Sequence, residues 1–263
     1  MTDVREEPVT TLVPRAKLRL GWAPDLKDQR DRHYPTHRAV AQPTVVDLRD
    51  QLPPSYDQAD LGSCTANAIA GALQFVQAKQ GLQLVMPSRL FIYYNERAME
   101  GTVDSDSGAR IRDGIKSVVK LGYCPEPDWP YVTSQFTEKP SQQCFDEALM
   151  DQVTVYYRVT NRLTSMLHCL ASGYPFVFGI TVYESFMQAP GGDVPMPDAN
   201  EAVEGGHAML CVGYDQAARR FLFRNSWGTA WGDGTGHGTI PFEYLDSPDY
   251  GGDYWTIRQQ EIP

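Results

Sequence analysis

The sequence predicts an α+β fold with two lobes, in which a mainly helical first half is followed by an antiparallel β half and a cleft lies between them. Apolar residues recur at helical spacing in three segments of the first half. Beyond residue 150, β-branched and aromatic runs separated by turn residues are typical of strands. A chain of 263 residues is long enough to bury a substantial core.

Three helices are expected between residues 60 and 125. The first begins at Cys64, continues through apolar residues at helical spacing and stops at Gly81. The second is predicted over residues 87–100 with Ser88 as its N-cap, and the third over residues 108–122. The apolar face of the second helix is expected to carry Leu90, Phe91, Tyr94 and Ala98.

Most strands are expected after residue 150. Residues 43–50 already suggest one short strand, and residues 153–160 suggest the first strand of the β half. One short helix is predicted over 162–173, and the Pro- and Gly-rich segment 186–206 is interpreted as a long loop. The other strand-like runs are "PFVFGITVY", "GGHAMLCVGYD", "RFLFRNSW" and "YWTIRQ".

Composition excludes several classes of protein. A net charge of −10 argues against broad nucleic-acid binding, which needs positive surface. No run reaches the roughly 18 apolar residues of a membrane span, so no membrane partner is expected. The start of the chain lacks the apolar segment of a secretory signal. We therefore expect a cytoplasmic protein, with a removed leader left open.

The five cysteines do not form the pattern of a disulfide scaffold, because their number is odd and their density is low. No Cys and His cluster has zinc spacing, so neither a metal nor another cofactor is expected. Each cysteine is by default a reduced and buried side chain. Cys124 and Cys144 flank a loop, and whether they ever pair stays open.

Residues 1–42 form an arm that differs in charge from the body. The arm carries eight Lys/Arg and six Asp/Glu, a net of +2, whereas the remaining 221 residues carry fifteen and twenty-seven, a net of −12. Attraction between them favours docking in cis, with Trp22 and Tyr34 as anchors. The domain expected over 43–263 comprises a helical lobe over about 58–130 and a β lobe over about 150–263.

Cys64 stands where a glycine turn enters the first helix. Alone, such a cysteine is most often a buried hydrophobic residue. The N-terminal amides of a helix, however, stabilise a thiolate, which is the nucleophilic form of cysteine. A thiol nucleophile also needs an imidazole to hold and deliver its proton.

His207 and Asn225 complete a candidate catalytic group. His207 follows two glycines at the start of a strand, and Asn225 ends the next strand. If these strands are antiparallel neighbours, the amide of Asn225 can orient the imidazole. Gln58, six residues before Cys64, is placed to donate to an oxyanion together with the Cys64 backbone N–H.

These residues, with the segments "GGHAMLCVGYD" and "NSWGTAWGDG", resemble the papain-like cysteine peptidases in order and in the step from Gln58 to Cys64. The resemblance implies a two-lobed peptidase in which Cys64 is the nucleophile, His207 the acid–base, Asn225 the orienter and Gln58 the oxyanion donor. It implies a peptide or protein substrate. Trp227 would cover the Asn225–His207 hydrogen bond, and the residues assigned to substrate binding are Gly108, Gly206 and Trp227.

The sequence also departs from the family pattern. Thr65 replaces the aromatic residue that usually follows the nucleophile, and Leu61 replaces a cysteine that many members use in a disulfide. Only 42 residues precede the enzyme-like body, where many members carry a long inhibitory segment. Two alternatives stay open: a transglutaminase-like acyltransferase, and a non-catalytic binding module on a peptidase fold.

Overall fold

The computed structural model describes residues 18–36 and 40–261 of the chain, so expectations for the rest of the arm lie outside the described residues. Its centre is a seven-stranded antiparallel sheet in the order β2-β7-β3-β4-β5-β6, with β1 paired to β4. The strands are β1 (Val45–Asp47), β2 (Val153–Arg158), β3 (Phe176–Tyr183), β4 (Val203–Asp215), β5 (Arg220–Arg224), β6 (His237–Pro241) and β7 (Gly251–Gln260).

Helices dominate the first half, as the α+β prediction requires. The described helices are α1 (Cys64–Gln80), α2 (Arg89–Glu100), α3 (Ile111–Lys120), α4 (Gln142–Ala148), α5 (Leu163–Ala171), α6 (Glu184–Met187) and α7 (Phe242–Asp246). Within the described ranges, no helix combines the length and the apolar character needed to cross a membrane.

The first helix, α1, is the central element of the core. Every residue from Cys64 to Gln77 is buried, and the helix packs against β4, β7 and the two following helices. It ends at Gly81, whose φ of 69° lies in the left-handed region where glycine carries no Cβ penalty. A helix surrounded on all sides places its N-terminus, with Cys64, inside the protein.

The second helix confirms the predicted cap but not the predicted face. Ser88 accepts the backbone N–H of Phe91 as its N-cap. Tyr94 is only partly buried and Ala98 is exposed, whereas Tyr93 and Arg97 are fully buried. The buried face of the helix therefore differs from the predicted face and includes Arg97. The Arg97 guanidinium donates to backbone carbonyls of two loops, those of Val103, Ser105 and Phe136.

Two local features of the second half were not expected from the sequence. Residues 142–148 form α4, whose N-cap Ser141 accepts the N–H of Cys144. The segment interpreted as a long loop contains part of α6, and β4 already begins at Val203. His207 consequently lies inside a strand rather than at its start.

Arg97→Ala is expected to lower the free energy of unfolding by about 2–4 kcal/mol, because buried carbonyls lose a charged donor. Arg219→Ala is the matched control. Arg219 pairs with Glu243 at the surface, its side chain is 60% exposed, and such pairs contribute little. Urea denaturation midpoints of both variants check the contrast, and equal losses would show that the Arg97 contacts do not stabilise the fold.

Candidate active site

Cys64 is the first residue of α1, and its thiol points at the β half. The Sγ atom accepts the backbone N–H of Ala208, on β4, at 3.4 Å. Cys64 is fully buried. The thiol therefore lies between a helix N-terminus and the residue that follows His207, in a position where two sets of backbone amides favour the thiolate.

His207 and Asn225 meet as the predicted antiparallel pairing of β4 and β5 requires. The His207 Nε2 and Asn225 Oδ1 atoms are 2.8 Å apart, and the same Oδ1 accepts the N–H of Ser226 at 2.8 Å. An acceptor at Oδ1 requires the proton of the neutral ring on Nε2. The Nδ1 atom then carries a lone pair, and it has no hydrogen-bond partner among the described residues.

Trp227 covers the imidazole. Its ring stacks on His207 with centroids 4.7 Å apart, and its side chain is 3% exposed. Phe186 approaches both rings edge-on. Trp227 thus excludes water from the His207–Asn225 hydrogen bond, and its described ring contacts are with these buried aromatic groups and Trp231.

Gln58 is held in place by Ser226, a residue that sequence reasoning did not single out. The Ser226 hydroxyl donates to Gln58 Oε1 at 2.6 Å, and the Ser226 carbonyl accepts the Gln58 N–H at 2.8 Å. The Gln58 Nε2 atom donates to Leu61 O at 2.9 Å and to Arg19 O at 3.1 Å. In the sequence, the only feature that could have identified Ser226 as a site residue was its position directly after Asn225.

Thr65, which directly follows Cys64, makes a buried polar contact. Its hydroxyl donates to Glu96 Oε2 at 2.6 Å, and Glu96 is fully buried in α2. Burial raises the pKa of Glu96 well above its usual range. A neutral Glu96 spares the Cys64 thiolate a nearby negative charge.

The arm crosses the site as an extended segment with one isolated β-bridge. On the β half, the backbone N–H of Trp22 donates to Gly206 O at 2.9 Å. On the helical half, Ala109 donates its N–H to Gly21 O at 2.7 Å and accepts the N–H of Ala23 at 3.0 Å, in a parallel bridge. These contacts place the arm between the two halves, in the cleft next to Cys64.

Gly21 fits where no larger residue would. A Cβ atom on Gly21 would lie 1.9 Å from the carbonyl oxygen of Gly62, and one on Gly108 would lie 2.0 Å from Gly21 O. The Gly21 N–H is a further donor that lowers the pKa of Cys64. The backbone of the arm is therefore in direct contact with the loop that carries the thiol.

Burial favours the neutral form of both reactive groups. Burial raises the pKa of the Cys64 thiol to about 12, against the opposing effect of the Ala208 and Gly21 N–H groups. Burial also lowers the pKa of His207 to about 4, although the Asn225 hydrogen bond acts in the opposite direction. With the arm in place, the pair is a thiol and a neutral imidazole at pH 7.

The ion pairs that hold the arm have the opposite polarity to the one expected from net charge. Asp31 of the arm pairs with Arg112 at 2.6 Å and with Arg158 at 3.0 Å. Asp25 donates its N–H to Asp253 Oδ2 at 2.6 Å, and Asp253 also pairs with Arg158. The described arm therefore docks through its carboxylates onto arginines of the body. The prediction that basic residues of the arm meet acidic residues of the body is wrong at this contact.

A family comparison identifies the protein class. Residues 42–242 match the model of the family described as "Papain family cysteine protease". The chain belongs to the papain family of cysteine proteases. The two-lobed fold, the resemblance and the peptidase activity that it implied are thereby confirmed.

Individual relatives agree with this assignment. A peptidase C1-like protein of Acanthamoeba polyphaga mimivirus is 41% identical over 219 residues, covering 79% of this chain and 70% of the relative. Xylellain, a cysteine protease from Xylella fastidiosa, is 43% identical with a TM-score of 0.87, covering 94% of this chain and 99% of xylellain. Procathepsin B S9 from Trypanosoma congolense shares the fold, with 17% identity, a TM-score of 0.74 and coverages of 93% and 87%.

Docking of the arm is expected to weaken as the pH rises through about 7. Burial next to Asp253 raises the pKa of Asp25 from 3.8 to about 7, although Arg112 and Trp255 donate to its carboxylate. The docked arm thus binds more protons than a free arm between about pH 4 and pH 7, and docking free energy is lost over that window. Hydrogen exchange at the Trp22 and Ala23 amides, corrected for intrinsic rates, should show less protection at pH 8 than at pH 5.5.

Asp253→Asn is the control for this measurement. It removes the charge that opposes ionisation of Asp25 while keeping an oxygen that can accept the Asp25 N–H. The variant should show a smaller change in protection between the two pH values. Protection that is equal at both pH values in the unmodified chain would contradict the account.

Proposed function

We propose that this cysteine peptidase uses Cys64 as nucleophile, His207 as acid–base, Asn225 as orienting group and Gln58 as oxyanion donor. The observation that carries the proposal is the contact between His207 Nε2 and Asn225 Oδ1, which are 2.8 Å apart. The Nε2 proton of His207 is engaged by Asn225, which leaves the Nδ1 lone pair to take a proton, while Cys64 Sγ lies 3.4 Å from the amide nitrogen of the next residue, Ala208.

The first half of the reaction forms an acyl-enzyme. His207 Nδ1 takes the thiol proton, and the Cys64 thiolate attacks the peptide carbonyl carbon. Gln58 Nε2 and the Cys64 backbone N–H donate to the resulting oxyanion. The tetrahedral intermediate collapses, the C–N bond breaks, and the leaving amine takes the proton from His207.

The second half restores the enzyme. His207 takes a proton from water, the hydroxide attacks the thioester carbonyl, and the same donors hold the second oxyanion. Breaking the C–S bond releases the carboxylic acid, and the sulfur regains its proton from His207. Trp227 keeps water away from the His207–Asn225 bond, so the ring stays oriented through both steps.

The arm acts in this proposal as an inhibitory segment in cis. Arg19 O accepts the Gln58 Nε2 donor that an oxyanion needs, and Gly21 and Trp22 use the backbone groups of Ala109 and Gly206 that border the cleft. A peptide substrate and the arm therefore compete for the same donors and acceptors. The procathepsin among the structural relatives is named as a proform, which agrees with this role.

Cys64→Ala is expected to abolish peptide hydrolysis and to leave the fold intact, since alanine is a good helix residue. Gln58→Ala should lower kcat by about 10²–10³ if the amide donates to the oxyanion, and Asn225→Ala should cost less because it only orients His207. Fluorogenic peptide hydrolysis measures all three in a chain that lacks residues 1–42, so that the arm does not affect the rates, and circular dichroism is the fold control. Undiminished turnover in the Cys64→Ala protein would refute the assignment.

Gly21→Ala is expected to release the arm, because the added methyl group clashes with the Gly62 carbonyl oxygen. Turnover of small peptides should rise, and the rate of Cys64 alkylation at pH 7 should rise as water lowers the thiol pKa. Removal of residues 1–42 should have the same effect. Leu26→Ala, at an arm side chain that is 67% exposed, is the matched control and should change neither rate.

Unchanged or lower activity in both the Gly21→Ala and the truncated proteins, with their fold confirmed, would make the arm a structural brace. Adding an amine acceptor to the same assay tests the acyltransferase alternative. Water as the acyl acceptor gives the carboxylic acid, whereas a transferase would give the amide of the added amine.

A further inference from the structure

The two oxyanion donors of the proposed reaction lie at opposite ends of one short segment. Gln58 begins the segment with its side-chain amide, and the backbone N–H of Cys64 directly follows Ser63 at the other end. Gln58 and Ser63 are both fully buried. We call residues 58–63 the oxyanion segment. Because both donors bind one oxygen atom, the spacing between the two ends must be fixed before the reaction begins.

The backbone of the oxyanion segment needs support from outside. Residues 59–62 form turns and bends rather than a helix or a strand. Ala59, directly after Gln58, has a φ of 53°, in the left-handed region that disfavours a residue with a Cβ atom. A backbone of this kind persists only where surrounding contacts hold it. Contacts made by other parts of the chain are therefore expected to set the shape of the segment.

The Tyr131 hydroxyl makes such contacts at both ends. It donates to the Gln58 carbonyl oxygen at 3.0 Å, and its oxygen lies 2.5 Å from Ser63 Oγ. Burial raises the pKa of Tyr131 to about 12, so the phenol keeps its proton at pH 7. Since that single proton goes to Gln58, the Ser63 hydroxyl donates to the Tyr131 oxygen. Asn67, one turn into α1, donates to Ser63 Oγ at 3.0 Å. A chain of hydrogen bonds therefore runs from α1 through both ends of the oxyanion segment.

Arg89 keeps the Tyr131 ring in place. Its guanidinium carbon lies 4.0 Å from the centre of the ring, in a cation–π contact. The guanidinium pairs with Glu126, which belongs to the same connection between α3 and α4 as Tyr131, at 2.6 Å. It also donates to the carbonyl of Asp57, the residue before Gln58, at 3.1 Å. The Tyr131 hydroxyl is therefore held against the oxyanion segment by a charged group that contacts both.

We propose that Tyr131 is a positioning residue whose hydroxyl sets the spacing between the Gln58 amide and the Cys64 N–H. The inference rests on the proposed function of these two donors. The hydroxyl bonds to the oxyanion segment and not to the thiol, so its loss leaves Cys64 and His207 in place and loosens the donors. An oxyanion then meets donors that are poorly spaced, and the cost falls on kcat because the contact is made in the transition state.

The test separates a reaction that passes through an oxyanion from one that does not. Peptide hydrolysis forms two oxyanions, whereas iodoacetamide forms a C–S bond with the thiolate and releases iodide without one. Both rates depend on Cys64 and His207, but only hydrolysis depends on the oxyanion donors. Both are measured in the full-length Gly21→Ala chain, the parent protein, in which the arm is released. Mass spectrometry follows alkylation of Cys64 alone.

Tyr131→Phe, added to the parent protein, should lower kcat by about 10- to 100-fold while KM changes by less than about threefold and the alkylation rate by less than about twofold. Gln58→Ala should give the same pattern. The two losses in kcat should not multiply in the double variant, because both act on one donor. Ser63→Ala breaks the chain of hydrogen bonds at its other end and should lower kcat selectively too, which tests the proposal if Tyr131→Phe does not fold.

Tyr123→Phe is the matched control. The Tyr123 hydroxyl also makes two buried hydrogen bonds, accepting from Gln77 Nε2 and donating to Gln260 Oε1, each at 2.8 Å, near the other end of α1. Its loss should change neither kcat nor the alkylation rate once circular dichroism shows that the variant is folded. A selective loss of kcat in this control would show that the effect does not depend on the oxyanion segment, and it would overturn the proposal.

Two further results would overturn the proposal, and a third would overturn the proposed function as well. An unchanged kcat in Tyr131→Phe would show that the hydroxyl does not position the donors. An equal loss of hydrolysis and alkylation would show that it only supports the structure around the thiol. A parent protein that cleaves no peptide, or a Gln58→Ala variant with unchanged kcat, would remove the oxyanion assignment itself, and the role of Tyr131 with it.

Discussion

The contact between the N-terminus of α1 and β4 determines the rest of the site. Cys64 Sγ accepts the N–H of Ala208, and the neighbouring His207 is fixed by Asn225 on the adjacent strand. This contact lies inside the protein because α1 is buried from Cys64 to Gln77 and packs against β4. A helix with one exposed face would leave the thiol in solvent, where its protonation would not depend on the cleft.

The same burial explains how the thiol can be kept inactive. A thiolate and an imidazolium stabilise each other when water and backbone donors solvate them, but in a covered cleft both charged forms lose hydration. The arm covers the thiol with its own backbone and accepts the Gln58 donor through Arg19. Its attachment combines backbone hydrogen bonds in the cleft with the Asp31, Arg112 and Arg158 cluster farther along the arm. In the proposed function, inhibition and attachment are thus separate features of one short segment.

Residues whose positions follow from local periodicity or strand pairing could be predicted from the sequence. Cys64 at a helix start follows from helical spacing after a glycine turn, and the meeting of His207 with Asn225 follows from a short hairpin. Contacts that depend on tertiary packing could not be predicted. The buried face of α2 was predicted wrongly because Arg97, which as a charged residue was expected to be exposed, is buried and donates to buried carbonyls.

The ion pairs of the arm could not be predicted from its net charge either. Its net charge indicated attraction to the acidic body, but docking depends on which charges meet. Two carboxylates of the arm, Asp25 and Asp31, face arginines that come from α3 and β2, far apart in sequence. Ser226 was missed for a related reason, since its hydrogen bond to Gln58 joins residues 168 positions apart.

Covalent trapping tests the central claim most directly, which is that Cys64 forms the acyl-enzyme. The Gly21→Ala chain, in which the arm is released, is mixed with a saturating activated ester of a short peptide, quenched in acid within milliseconds to seconds, and digested for mass spectrometry. The account predicts one acyl group on the peptide that contains Cys64, with the other four cysteines unmodified and no adduct after Cys64→Ala. An acyl group on another residue, or ester turnover with no acyl group on Cys64, would contradict it.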